Sequence, residues 1–141
     1  MKPAELSPAP NLASLAPWAT IFADPDFVFG RWAGGEQRDG STQFAYFAFS
    51  DTAQEFLNAV SAGHWVRAEI NWSGETERAQ FNRLRDDPDA IARASVEEIA
   101  HLLTTLVRGD RFNEGMLASA FEDGVIRRSL DRVKALAGDS I

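Results

Sequence analysis

The chain has 141 residues, of which 45% are hydrophobic, 25% charged and 11% aromatic. That length suits one domain burying roughly two thirds of its unfolded surface, and the composition excludes disorder throughout. A formal charge of −7 repels polyanions at long range, and the lack of cysteine removes disulfides, thiolate nucleophiles and cysteine-ligated metals.

Residues 1–10 carry Pro3, Pro8 and Pro10 with Lys2 and Glu5 where a leader would have an apolar run. They read as a flexible N-terminus with neither a secretory signal nor a membrane span, ahead of a single globular domain over 11–141, and cytoplasmic residence is expected. Leu12, Leu15, Trp18, Ile21 and Phe22 then recur at helical spacing. Pro17 interrupts the ladder, so the regular part of this helix is expected to begin near it and to end at Asp24-Pro25.

Gly30, Gly34, Gly35 and Gly40 surround Trp32 in a turn-rich stretch flanking an extended piece at 27–32. A phosphate loop fails there on residue types, with no GxGxxG and no Gly-Lys-Ser/Thr. Residues 43–50 form an apolar, aromatic strand, after which Asp51 or Thr52 is expected to cap a helix with the stripe Ala53, Phe56, Leu57 and Val60, closed by Gly63. From His64 to Trp72 the pattern alternates, with Val66, Ala68, Ile70 and Trp72 on one side and Trp65, Arg67 and Glu69 on the other, as in a half-buried strand. A parallel crossover between these strands and an antiparallel pairing through the 27–32 segment are both open.

Ser73 can cap a surface helix reaching Arg85 whose buried candidates are Phe81 and Leu84, and Asp87-Pro88 leads into a short helical connector. Ser95 and Glu98 have the spacing of a capping box. The helix they start has an apolar face of Val96, Ile99, Leu102, Leu103, Leu106 and Val107, with Glu97, His101, Thr104 and Arg108 opposite. Gly109 is expected to end it and Asp110 to cap the next, in which Phe112, Met116, Leu117, Ala120 and Phe121 form the buried stripe. Gly115 weakens that helix, so close approach by another backbone is expected there. After Gly124 a last helix turns Ile126, Leu130, Val133 and Ala137 inward and Arg127, Arg128, Arg132 and Lys134 outward. The fold class is α+β and mostly helical, with C-terminal helices packed on a small sheet.

The string LLTTLVRGDRFNEG resembles the C-terminal signature of a family of small bacterial proteins of unknown function. Tyr46 and Ser50 in AYFAFS, Trp65, the Asp87-Pro88 step before Ile91, and EEIAHLL match as well. The likeness covers the chain from about Pro17 onward. It implies a shared fold and a shared site, without assigning a catalytic residue or a cofactor.

His64 and His101 are the only histidines, no carboxylate flanks them as a ligand set, and no GxSxG occurs, so no metal, cofactor or serine nucleophile is expected. His101 is expected on a solvated face beside Glu97. Paired-carboxylate chemistry stays open, because 21 acidic residues can meet in space without a local pattern. Trp32, Trp65, Trp72 and Tyr46 read as core packing or as an aromatic wall for a planar ligand. The arginines of the last helix read as a solvated face, with phosphates or an acidic partner as the alternative.

The sharpest site candidate is the helix corner holding Arg108, Arg111 and Glu114, with Tyr46 and His64 as contributors. Two arginines beside a helix N-terminus can hold a carboxylate or phosphate, or can lock the corner through ion pairs. The primary functional reading is a binding or protein-interaction module without catalysis, engaging a protein partner or a second copy. The alternative is an enzyme or carrier for an anionic small molecule at that corner. Nucleic acid and membrane are not expected partners.

Overall fold

The structure, a computed structural model, describes residues 9–33, 37–38, 41–42, 46–67, 74–110 and 115–139. Seven helices occur among them: α1 (Leu12–Phe22), α2 (Asp51–Ala62), α3 (Glu75–Asp86), α4 (Pro88–Ala92), α5 (Val96–Asp110), α6 (Met116–Glu122) and α7 (Val125–Asp139). Two small antiparallel pairs complete them, β1 (Gly30–Ala33) with β4 (Tyr46–Phe49) and β2 (Gln37–Arg38) with β3 (Ser41–Thr42). The fold is mostly helical α+β, with α6 and α7 following the sheet in the chain and Phe121 of α6 stacked on Phe29, the residue before β1.

Asn11 starts α1 by accepting from the amide of Ala13 at 3.0 Å. The helix runs straight through Pro17, contrary to the expectation that its regular part begins there. Its first turn is fixed from outside: the Asn11 amide donates to the Gly63 carbonyl at 2.8 Å, and the Trp65 indole donates to the Asn11 carbonyl at 3.0 Å. External bonds thus outweigh the one ladder bond that proline removes.

Phe22 ends α1 fully buried at the centre of an aromatic cluster. Its ring lies 4.6 Å from Phe27, 4.9 Å from Phe56 and 5.5 Å from Phe121. Truncating such a residue to alanine typically costs about 3–5 kcal/mol. Phe29, stacked on Phe121 at 4.6 Å, and Phe49 carry the cluster into the sheet. Antiparallel pairing of β1 with β4 resolves the strand direction left open by the sequence.

Ser50, rather than Asp51 or Thr52, caps α2, its hydroxyl accepting from the Ala53 amide at 3.1 Å. Gly63 closes the helix with an ordinary negative φ, and His64 takes the left-handed conformation instead, at φ 64°. Glycine is required at 63 by contact: a Cβ there would sit 2.0 Å from Ser14 Oγ.

The chain then departs from the expected strand. Trp65 is fully buried, in keeping with its reading as core packing, and residues 65–67 pair with no described strand. Residues 68–73, including Trp72, lie outside the described residues. Thr104, expected on the polar face of α5, is fully buried because it serves this segment: its hydroxyl donates to the Trp65 carbonyl at 3.1 Å and accepts from the Arg67 amide at 2.9 Å. His101 faces α3, its Nε2 donating to the Glu77 carbonyl at 3.0 Å instead of pairing with Glu97.

Ser95 and Glu98 form the expected capping box, with reciprocal bonds of 3.0 and 3.1 Å. Glu98 also accepts from Gln80 at 3.1 Å and from Arg83 at 2.6 Å, fastening α3 to α5. The bond from the Ser95 amide, followed by those from Arg83 and Gln80, holds the Glu98 carboxyl below its ordinary pKa of 4.5.

The helix α5 does not stop at Gly109, which is buried within it, and the left-handed residue at the corner is Gly115, at φ 99°. The arginines of α7 are not a solvated face. Arg127 donates to the Phe22 carbonyl at 2.7 Å while its guanidinium lies 4.5 Å over Phe121, Arg128 donates to the Asp123 carbonyl at 3.3 Å, and Arg132 donates to the Ala94 carbonyl at 2.8 Å.

Gly63→Ala should lower unfolding free energy by about 1–3 kcal/mol through the forced contact with Ser14. Gly138→Ala, where a Cβ meets nothing within 4 Å, should be neutral or raise it by up to about 1 kcal/mol; urea titration of both compares them. A carboxyl with a depressed folded pKa stabilises above its unfolded value and loses that contribution as pH falls through the folded one. Glu98→Gln should therefore cost about 0.5–1 kcal/mol at neutral pH, with the gap from the parent protein closing as pH drops below 4.5.

Candidate functional site

A concavity of about 410 Å³, open to solvent, lies where β1, α3, α5 and α6 meet. Its wall on the sheet side is Trp32, 54% exposed despite being one of the largest apolar side chains. The register opposes Trp32 to Phe47, and the two rings meet edge-on at 5.5 Å. Below it sits Gly115, where an added Cβ would lie 2.7 Å from the Trp32 ring. The positive φ and this close approach both demand glycine, and the approaching group is a side chain, not the backbone expected from sequence.

The amino end of α6 is held by Asp110, whose Oδ1 accepts from the amides of Gly115 at 3.2 Å and Leu117 at 3.1 Å. Asp110 thus does cap the second helix, but from across the corner. Residues Met116 and Ser119 of α6 and Phe81 of α3 continue the lining. At the rim stands Arg85. Asp86 grips it with two bonds, 2.7 Å from Nε and 3.0 Å from Nη2, while its guanidinium lies 5.5 Å over Phe81. The bond to Asp86 raises the Arg85 pKa further, and Asp123, also on the rim, adds to that effect. The groove therefore offers an indole face, a thioether, a hydroxyl and a charge couple of both signs.

Of the residues singled out from sequence, those among the described residues, Tyr46, His64 and Arg108, do not line this groove. Tyr46 is half-exposed opposite Ala33, and strand alternation puts it on the other face of the ribbon from Trp32 and Phe47. His64 is exposed at the end of α2, and its carbonyl accepts from Arg67 Nη1 at 3.3 Å. Arg108 is half-buried near the end of α5, and its side chain bonds to no described residue. Arg111 and Glu114 lie outside the described residues. Of the aromatic-wall candidates, Trp65 is core and Trp32 lines the groove. Arg85 and Asp123 were missed, since 38 positions of chain separate two residues that only the tertiary fold brings together. Among the described residues no three His, Cys, Asp or Glu are placed to hold a metal ion, and no helix is long and apolar enough to cross a membrane.

Gly115→Ala should destabilise the protein by about 1–2 kcal/mol from the left-handed backbone alone. It should also change tryptophan emission by displacing the Trp32 ring, while Gly138→Ala should neither destabilise the protein nor alter emission.

In comparisons with known proteins, the model of a family described as a family of unknown function (DUF6508) matches residues 7–139. No curated protein and no solved structure matches the chain.

Proposed function

The chain belongs to this family of unknown function, and we propose that it is a binding module that acts by recognition and not by catalysis, taking an extended segment of a partner protein into the Trp32 groove. The observation that carries the reading is the indole of Trp32, more than half exposed on the wall of an open 410 Å³ groove and seated on a glycine that admits nothing larger. Tryptophan, methionine and arginine are the side chains enriched where proteins meet, because they bury large area while keeping a directional contact.

A partner contributes one apolar or aromatic side chain against the exposed part of Trp32 and a polar group toward the Arg85–Asp123 rim. Burial of both matters, since exposed charges alone contribute little. The anion-binding alternative at the α5–α6 corner has less support, because Asp110 already occupies the amides of Gly115 and Leu117.

Selection of displayed random peptides against the folded chain tests this. Recovered peptides should share an aromatic or large apolar anchor and lose affinity at least about tenfold on Trp32→Ala. Ser119→Trp, which fills the groove from an exposed position, should abolish their binding. A library that enriches equally on the parent and on the filled variant would sink the reading. Sedimentation of the chain alone across concentrations separates a foreign partner from a second copy.

A further inference from the structure

A second cavity, about 290 Å³, opens between α4 and α7 and shares no lining residue with the Trp32 groove. Pro88 and Ala92 from α4 and Ala135 from α7 give it apolar walls, and Arg128, Asp131 and Arg132 give it charge. The two arginines are four residues apart on one helix, so their side chains share a face.

Each guanidinium is anchored at one edge and has unpaired donors at another. Arg128 spends Nη1 on the Asp123 carbonyl at 3.3 Å, and Arg132 spends Nε on the Ala94 carbonyl at 2.8 Å. On Arg128 the remaining edge is Nε with Nη2. Its Nε is buried with no hydrogen-bond partner, and it is the only such side-chain nitrogen or oxygen among the described residues. Nη2 of Arg128 and both Nη atoms of Arg132 bond to none of them, and Asp131 pairs with neither arginine. Folded chains rarely leave a buried donor without an acceptor unless something else supplies one.

We propose that this cleft binds a small carboxylate carrying a short apolar chain. The planar Nε–Nη2 edge of Arg128 matches the two coplanar oxygens of a carboxylate. Arg132 supplies the second cation, and the hydrocarbon lies against Pro88, Ala92 and Ala135. Charge selects the same ligand: two arginines and one aspartate leave one net positive charge at the cleft, which balances a monoanion and not a phosphate dianion.

The test is an NMR titration of the full ¹⁵N-labelled chain with valerate and, separately, with inorganic phosphate. Valerate should shift the Arg128 Nε–H signal and the amides around Ala92 and Ala135 saturably. Arg128→Lys keeps the charge but loses the fork, and should weaken valerate binding by about tenfold or more. Ala135→Leu fills the cleft from an exposed position without removing a hydrogen bond, and should abolish binding. It carries the test alone if the lysine variant fails to fold. Trp32→Ala should leave the titration unchanged, so failure of this site and failure of the groove are told apart. Absence of a saturable shift, or a shift that survives Ala135→Leu, overturns the site. Tighter binding of phosphate than of valerate overturns the carboxylate assignment.

Discussion

Every polar group of Trp65 is spoken for inside the core, and those bonds join three helices that are far apart in the chain. Its amide donates to the Val60 carbonyl at 3.0 Å, its indole to the Asn11 carbonyl at 3.0 Å, and its carbonyl accepts from Thr104 at 3.1 Å. The ends of α1 and α2 and the middle of α5 are thereby positioned by one fully buried side chain. A buried indole whose N–H lacked a partner would be a liability, so the start of α1, Gly63 and Thr104 are mutually dependent. Removing any one leaves the others with unpaired groups in a dry interior.

From that junction the rest follows outward. α5, buried along most of its length, carries α6 at its far end, and Phe121 of α6 meets Phe22, Phe27 and Phe29 to seat the sheet. Only after the sheet is seated does Trp32 come over Gly115. The groove is therefore a product of long-range packing. Its indole projects from β1, its floor belongs to α6, and its charged rim combines α3 with the turn after α6. Such a surface has shape without any local sequence motif.

What the sequence made legible was whatever its neighbours decide. The Ser95–Glu98 box could be read because its partners are three residues apart, and Phe81 and Leu84 stood out as the apolar residues of a charged helix. Thr104 could not, since periodicity put a threonine between two apolar turns on the wet face, while the groups that bury it lie 37 and 39 residues earlier. The same limit applied to Trp65, whose indole is held by the Asn11 carbonyl 54 residues earlier in the chain. Glycines were read unevenly: Gly63 does close α2, although the nearness of Ser14 and not a positive φ is what demands glycine there, whereas Gly109 lies inside a helix. At the candidate site the aromatic part was visible and the charged part was not.

The arginines of α7 give the molecule two kinds of fastening. Arg127, Arg128 and Arg132 reach the carbonyls of Phe22, Asp123 and Ala94, where chain segments end with exposed oxygens and a partial negative charge. Carbonyls do not titrate, so these ties persist as acid is added. The Arg83–Glu98 bond between α3 and α5 depends instead on the carboxylate and weakens when that group takes up a proton, while the bond from His101 to the Glu77 carbonyl still joins the same two helices. Acid should thus weaken the molecule's fastening on one side only, where Arg83 meets Glu98, and only below the ordinary carboxylate range, while the core contacts of Phe81 and Leu84 keep α3 seated and the pairing of α1 with α7 holds.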